Sequence, residues 1–214
     1  MKEDTILKVL PWDVRSIIQK EKLEFEYLQE IRLREGKPLI FLYHDTEVIP
    51  GAKARQPYLV TKDNIREMLE YISNYSLCAC EQEMRQGFIT IEGGHRVGLS
   101  GQAIMENGKV KNLKYISSVN IRVAHEMIGC ADAVFPYIVC NRLLCHTLIV
   151  SPPGCGKTTL LRDLIRQISD GNEYIKGCSV GVVDERSELG GCYLGIAQNH
   201  LGTRTDILDC CPKA

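Results

Sequence analysis

"HTLIVSPPGCGKTTLLRDLIRQI", His146–Ile168, is the stretch on which the reading of this chain turns. An apolar run passes into a loop of proline and glycine, and the loop passes into a segment with helical spacing. The pattern GxxxxGK[ST] marks a phosphate-binding loop, and Ser151-Pro152-Pro153-Gly154-Cys155-Gly156-Lys157-Thr158 meets it everywhere except at its first glycine. The positions with a defined job are all present. Gly154 and Gly156 let successive backbone N–H groups converge on one concavity. Lys157 reaches β- and γ-phosphates, and the Thr158 hydroxyl can ligate Mg²⁺. The helix that follows turns its positive dipole end toward the same anion.

Context strengthens the motif. "LLCHTLIV" reads as a buried strand before the loop. After it, Leu160, Leu161, Leu164, Ile165 and Ile168 share one helical face. A plain strand-to-helix turn has no need of Gly-x-Gly-Lys-Thr. The nucleotide-binding set is therefore Ser151, Pro152, Pro153, Gly154, Cys155, Gly156, Lys157, Thr158 and Thr159.

The rest of the chain is ordinary for a globular protein. Its 214 residues are 44% hydrophobic and 25% charged, with net charge −1, so nothing global points to nucleic acid or an anionic membrane. No apolar run approaches the ~20 residues that span a bilayer. "MKEDTILKVLPWD" has acids and a proline where a signal peptide needs an unbroken apolar core. The expected location is the cytoplasm. None of the ten cysteines forms a CxxC pair, so buried free thiols are expected rather than zinc or disulfides.

Upstream, "PWDVRSIIQK" reads as a helix after Pro11, and "LQEIRLREGKPLIFLY" as a hairpin broken at Gly36–Pro38. "VTKDNIREMLEYIS" reads as a helix capped by Thr61 or Asp63, with Ile65, Met68, Leu69 and Ile72 inward. From Phe88 to Val123 the turn dipeptides Gly93-Gly94 and Asn107-Gly108 predict a three-stranded antiparallel meander. Pro136 and its surroundings mark the passage into a second unit. The expected architecture is α/β: a small α+β amino-terminal domain with antiparallel hairpins, residues 1–135, then an incomplete RecA-like P-loop ATPase domain, residues 136–214.

A second acidic signal lies in "CSVGVVDERSEL". Val180–Val183 reads as a short buried strand, with Asp184 and Glu185 at its carboxyl end, the edge where open α/β sheets hold ligands. Asp184 lies 27 residues after Lys157, room for one helix, a loop and one strand. In RecA-type ATPases the Walker B strand usually comes one strand later, and the strand after the loop helix often ends in a carboxylate that orients water. Glu185 is accordingly assigned as the catalytic base or water-positioning residue, and Asp184 as a supporting magnesium group beside Thr158. The bland alternative is that the pair caps a following helix at "ERSEL". The remaining residues show no further apolar strand ending in an acid, so the chain reads as the amino-terminal part of something longer.

"RQGFITIEGGHRVGLSGQA", "SSVNIRVAHEMIGCA", "LIVSPPGCGKTTLLRDLIRQIS", "GVVDERSELG" and "LGTRTDILDCCPKA" resemble the stage III sporulation protein AA family of endospore-forming bacteria. The resemblance runs from "LPWDVR" to the last residue. It implies kinship with the ATPases of type II and type IV secretion, which pair a small amino-terminal domain with a RecA-like ATPase and work as ring hexamers. It further implies ATP and Mg²⁺ as cofactors and a membrane-embedded sporulation channel, made by the same operon, as partner. The expected place is then the mother-cell cytoplasm, peripheral to that complex. By the same resemblance, Asp184-Glu185-Arg186 corresponds to the acidic box of secretion ATPases, and the Walker B acid lies beyond "CPKA".

Competing readings are a small-molecule phosphotransferase, which would need an arginine-rich lid, and a GTPase, which would need an NKxD-like motif. Neither feature is visible. A nucleotide-dependent nucleic-acid-binding protein is the alternative of a different class, with Arg85, His95, Arg96 and Arg122 as contacts. The same hairpin residues are also expected to pack over a nucleotide site, so that replacing His95 and Arg96 costs turnover more than stability.

Overall fold

A computed structural model of the chain describes residues 2–72 and 87–211. Arg85, Cys78 and Cys80 lie outside the described residues. The chain divides into two compact units, one ending at Ala124 and the other beginning at His125.

The first unit is one antiparallel sheet with helices on one face. Its described helices are α1 (Lys2–Val9), α2 (Trp12–Glu21) and α3 (Lys62–Ile72). Its strands are β1 (Leu28–Arg34), β2 (Ile40–Tyr43), β3 (Thr46–Val48), β4 (Phe88–Ile91), β5 (His95–Glu106) and β6 (Lys109–Arg122), in the order β3-β2-β1-β6-β5-β4. Alternation along β1 sends Ile31 and Leu33 inward beside Ile121 and Val119 of β6. Ile6, Val14, Ile18, Ile65 and Met68 from the helices close over them.

Local chemistry explains the elements that were legible. Thr61 caps α3: its hydroxyl accepts the Asn64 N–H at 3.2 Å, and Asn64 Oδ1 accepts the Thr61 N–H at 2.9 Å. Asn107 and Gly108 stand at φ 52° and 74°, the positive pair that a two-residue hairpin turn requires. Gly93 has a second reason to be glycine. A Cβ there would lie 2.7 Å from both His95 Nε2 and Thr5 Oγ1.

The second unit is built around α4 (Lys157–Asp170). One side of α4 packs Leu164 against Ala131, Phe135, Ile138 and Ile175, and another packs Ile165 against Val182 and Leu201. Residues 125–135 belong to this unit, whereas the sequence placed the boundary near 135. The burial of Ala131 and Phe135 against α4 is the reason.

Two strands, β9 (Val180–Asp184) and β10 (Thr205–Asp209), pair in parallel, and Asp184 and Asp209 are register partners. The sequence reading missed β10 and held that no further apolar strand ends in an acid. "TDILD" is too short and too polar to announce itself, and only its pairing with β9 makes it a strand. Val182 faces α4, but Val183 is 67% exposed and Leu208 57% exposed, so β9 is buried on one face only.

The segment before the phosphate loop also departs from expectation. Only β7 (Val139–Cys140) and β8 (Leu143–Leu144) form, as a short hairpin. Residues 145–150 pair with no strand among the described residues, and Leu148 and Val150 stand 86% and 79% exposed. An apolar run becomes a buried strand only when neighbours pair its backbone on both sides.

Candidate functional site

The loop predicted from sequence is built as its residues require. Gly154 and Gly156 both adopt φ 76°, and a Cβ on either would meet nothing within 4 Å, so the glycines serve backbone conformation and leave the concavity open. Gly156 is the residue before α4, so the loop delivers directly into the first helical turn, whose N–H groups have no intrahelical acceptor. Lys157 folds back over the loop. Its Nζ donates to Ser151 O at 2.7 Å, to Pro152 O at 2.8 Å and to Ser151 Oγ at 3.3 Å. Thus Ser151, the one departure from the strict motif, supplies two of the oxygens that hold the lysine. Pro152, Pro153 and Cys155 are exposed along the loop, and Thr158 and Thr159 are half-buried in the first turn of α4.

The acidic pair is split by the structure. Asp184 is buried at 4% exposure, and its carboxylate closes the following loop. Oδ1 accepts the N–H of Arg186 at 3.4 Å and of Glu188 at 3.0 Å, while Oδ2 accepts that of Leu189 at 2.7 Å and of Gly190 at 3.0 Å. No helix follows, so Asp184 caps a loop rather than a helix. Four backbone donors occupy both oxygens, which leaves no lone pair directed at a metal in this arrangement. Glu185, next in sequence, is exposed.

Side chains that the sequence did not single out tie these pieces together. On α4, Asp163 is buried and takes the Ala131 N–H at 2.9 Å, with Arg166 Nε at 2.8 Å and Gln167 Nε2 at 3.1 Å. Burial alone would raise its pKa, but the Ala131 amide and the Arg166 guanidinium together hold it below the usual carboxylate value. Arg162 donates through Nη2 to Glu188 O at 2.8 Å and through Nη1 to His125 O at 3.3 Å. The signal for both was their position: "RDLIRQ" puts charged groups on faces of α4 that a two-sided helix must bury.

Of the residues weighed for nucleic acid that the structure describes, Arg96 and Arg122 are cross-strand partners on one face of the sheet, whereas His95 is turned into the core. His95 is fully buried, its Nδ1 accepting the Ala124 N–H at 2.9 Å. Arg96 lies over the Phe88 ring at 4.0 Å, and Arg122 pairs with Glu30 at 3.2 Å. The expectation that His95 acts on a nucleotide or nucleic acid is therefore corrected, because a side chain inside the first unit's core touches neither. Of the described cysteines only Cys192 is buried, contrary to the expectation of buried thiols. Among the described residues, no group of three or more His, Cys, Asp or Glu is placed to hold a metal ion. No described helix is long and apolar enough to cross a membrane.

Comparison with known proteins agrees with the resemblance read from sequence. A family described as "Sporulation stage III, protein AA" matches residues 1–214. The Stage III sporulation protein AA of Bacillus subtilis (strain 168) is 41% identical over 210 residues, covering 98% of this chain and 66% of that protein. Among solved structures, the pilus retraction motor PilT with bound ADP is similar at 14% identity and a TM-score of 0.49, covering 90% of this chain and 50% of that one. The ATPase DotB of Legionella pneumophila is similar at 12% identity and a TM-score of 0.46, covering 92% and 50%. The chain thus spans slightly less than two thirds of its curated relative and half of these solved chains.

Proposed function

The chain belongs to the Sporulation stage III, protein AA family, and from that membership and the loop geometry we propose that it carries the nucleotide site of an ATP-hydrolysing motor subunit. The observation that carries the reading is the loop itself: two glycines at positive φ, a lysine ammonium gathered on loop oxygens, and a 14-residue helix starting at that lysine.

A triphosphate would be held by the backbone N–H groups of Gly154–Thr158 and by the helix's positive end. Lys157 would exchange the Ser151 and Pro152 carbonyls for β- and γ-phosphate oxygens, a stronger, charge-assisted contact. Mg²⁺ would be held by the phosphates and the Thr158 hydroxyl, the sparse protein coordination usual for this ion, and would neutralise charge on the transferring phosphoryl group. Glu185 is the residue proposed to orient the attacking water. Asp184 acts one step back, by fixing the loop that presents Glu185. The incomplete sheet around α4 is read as part of a RecA-like domain that the rest of the family's length completes. We extend the reading to assembly as a ring hexamer at a membrane-embedded sporulation channel, on the mother-cell side.

The test uses the full-length protein and a fluorescent ATP analogue. Lys157→Ala should weaken binding by ~100-fold or more, since it removes the cation placed on the phosphates. Glu185→Gln should keep binding and reduce turnover by ~10²–10⁴-fold. Unchanged affinity in Lys157→Ala would overturn the site.

A further inference from the structure

Arg162 joins two segments of the second unit to α4, the helix into which the phosphate loop leads. It stands five residues into α4, about one and a half turns from Lys157. Its Nη2 holds the carbonyl of Glu188, inside the loop that Asp184 closes, and its Nη1 holds the carbonyl of His125. His125 is where the second unit begins, directly after Ala124, whose N–H is anchored on His95. The neighbouring Glu126 accepts the His200 N–H at 2.6 Å, so this entry segment is fastened on both sides.

The chemistry of this arginine is unusual for a merely structural one. Desolvation lowers its pKa although the carboxylates of Glu126 and Asp184 lie near enough to oppose the shift. Yet the hydrogen bonds it makes with described residues go to neutral carbonyls, and its Nε is buried with no hydrogen-bond partner among them. A planar fork can hold two carbonyls at a fixed spacing, whereas a lysine ammonium at the same place reaches one of them. A guanidinium with an unused buried donor and carboxylates close by has a second set of partners available if α4 shifts.

We propose that Arg162 is the positioning residue that transmits nucleotide occupancy from the phosphate loop to the Glu185-bearing loop and to the segment entering the second unit. The inference rests on the nucleotide-site reading above and deepens it. When phosphates draw Lys157 off the Ser151 and Pro152 carbonyls, the first turn of α4 is reseated. Arg162 rides on the same rigid helix, so its fork carries that displacement to Glu188 and His125 together.

The experiment compares full-length wild type with Arg162→Met, which keeps the apolar stem, and Arg162→Lys. Amide exchange at 125–128 and 185–190 in the absence of nucleotide should quicken ~10-fold or more in Arg162→Met, with α4 itself unchanged. In steady state, kcat should fall ~10-fold or more, while KM and the affinity for the fluorescent ATP analogue stay within ~3-fold, because a misplaced water-positioning group costs rate rather than binding. Arg162→Lys should restore protection in one segment and not in both. Wild-type exchange in both segments of Arg162→Met, or a wild-type kcat in that variant, overturns the inference. A wild-type protein that binds no nucleotide overturns the site reading instead, and the exchange comparison still decides whether Arg162 ties the two segments.

Discussion

Replacing Asp184 by asparagine separates a carboxylate that holds a loop from one that serves a metal. The side chain is 4% exposed and accepts four backbone N–H groups, two on each oxygen. The amide keeps the shape but turns one acceptor into a donor, so two of those N–H groups lose their partner whichever way it faces. The less costly orientation directs the amide nitrogen at Arg186 and Glu188, because the Arg186 contact is already long at 3.4 Å. A fully buried donor left unsatisfied costs about 1–3 kcal/mol, the half-buried N–H groups of Arg186 and Glu188 toward the lower end, and the two surviving bonds weaken as the charge disappears. The expected destabilisation is about 2–4 kcal/mol, a large part of the 5–15 kcal/mol that usually holds a domain. Urea unfolding with and without Mg²⁺ measures the total. Native-state exchange at Glu188, Leu189 and Gly190 measures it locally, where the same energies mean ~30- to ~1000-fold faster exchange. A loss under ~1 kcal/mol, or one that appears only when Mg²⁺ is present, would refute the loop-closing role and put the carboxylate on the metal.

His95→Ala should destabilise the first unit by about 2–4 kcal/mol, through a cavity and an orphaned Ala124 N–H, and should leave ATP-analogue affinity unchanged; thermal melts beside binding titrations check both. Burial, with the Asp209 carboxylate adding to it, pushes the Cys192 thiol from the usual 9 up to about 12. Because the folded value is the raised one, the stability that this neutral thiol represents is whole below about pH 9 and is lost as pH climbs toward 12. At pH 9 a thiol reagent should therefore label exposed Cys155 quickly and leave Cys192 unmodified in the native protein, and equal labelling rates would contradict the burial.

What the sequence determined by itself was whatever a few adjacent residues settle through their own backbone and caps. The conformation of the Gly154–Lys157 loop is of this kind, since Gly154 and Gly156 take their positive φ and Lys157 reaches back only six residues to Ser151. So are α3, whose start is written in Thr61 and Asn64, and the β5–β6 turn, written in Asn107-Gly108. Leu161 shows the margin of error even there: it shares the helical period with Leu160 and Leu164, yet stands 38% exposed, off the two sides of α4 that pack.

Tertiary structure decided everything that depends on a distant partner. β1 lies between β2 and β6, so its pairing with residues near 120 bridges some ninety positions that no local pattern encodes. β10 is a strand because β9 offers it a ladder, and His146–Val150 is not one because none is offered. His95 carries the same imidazole whether it faces solvent or the core, and only the packing of Thr5 and Ala124 around it chose the core. Asp184 likewise reads in sequence as an acid at a strand end, open to either job. The four N–H groups that assign it to the loop converge there only once the chain has turned, because a hydrogen bond is a relation in space and the sequence lists only its possible ends.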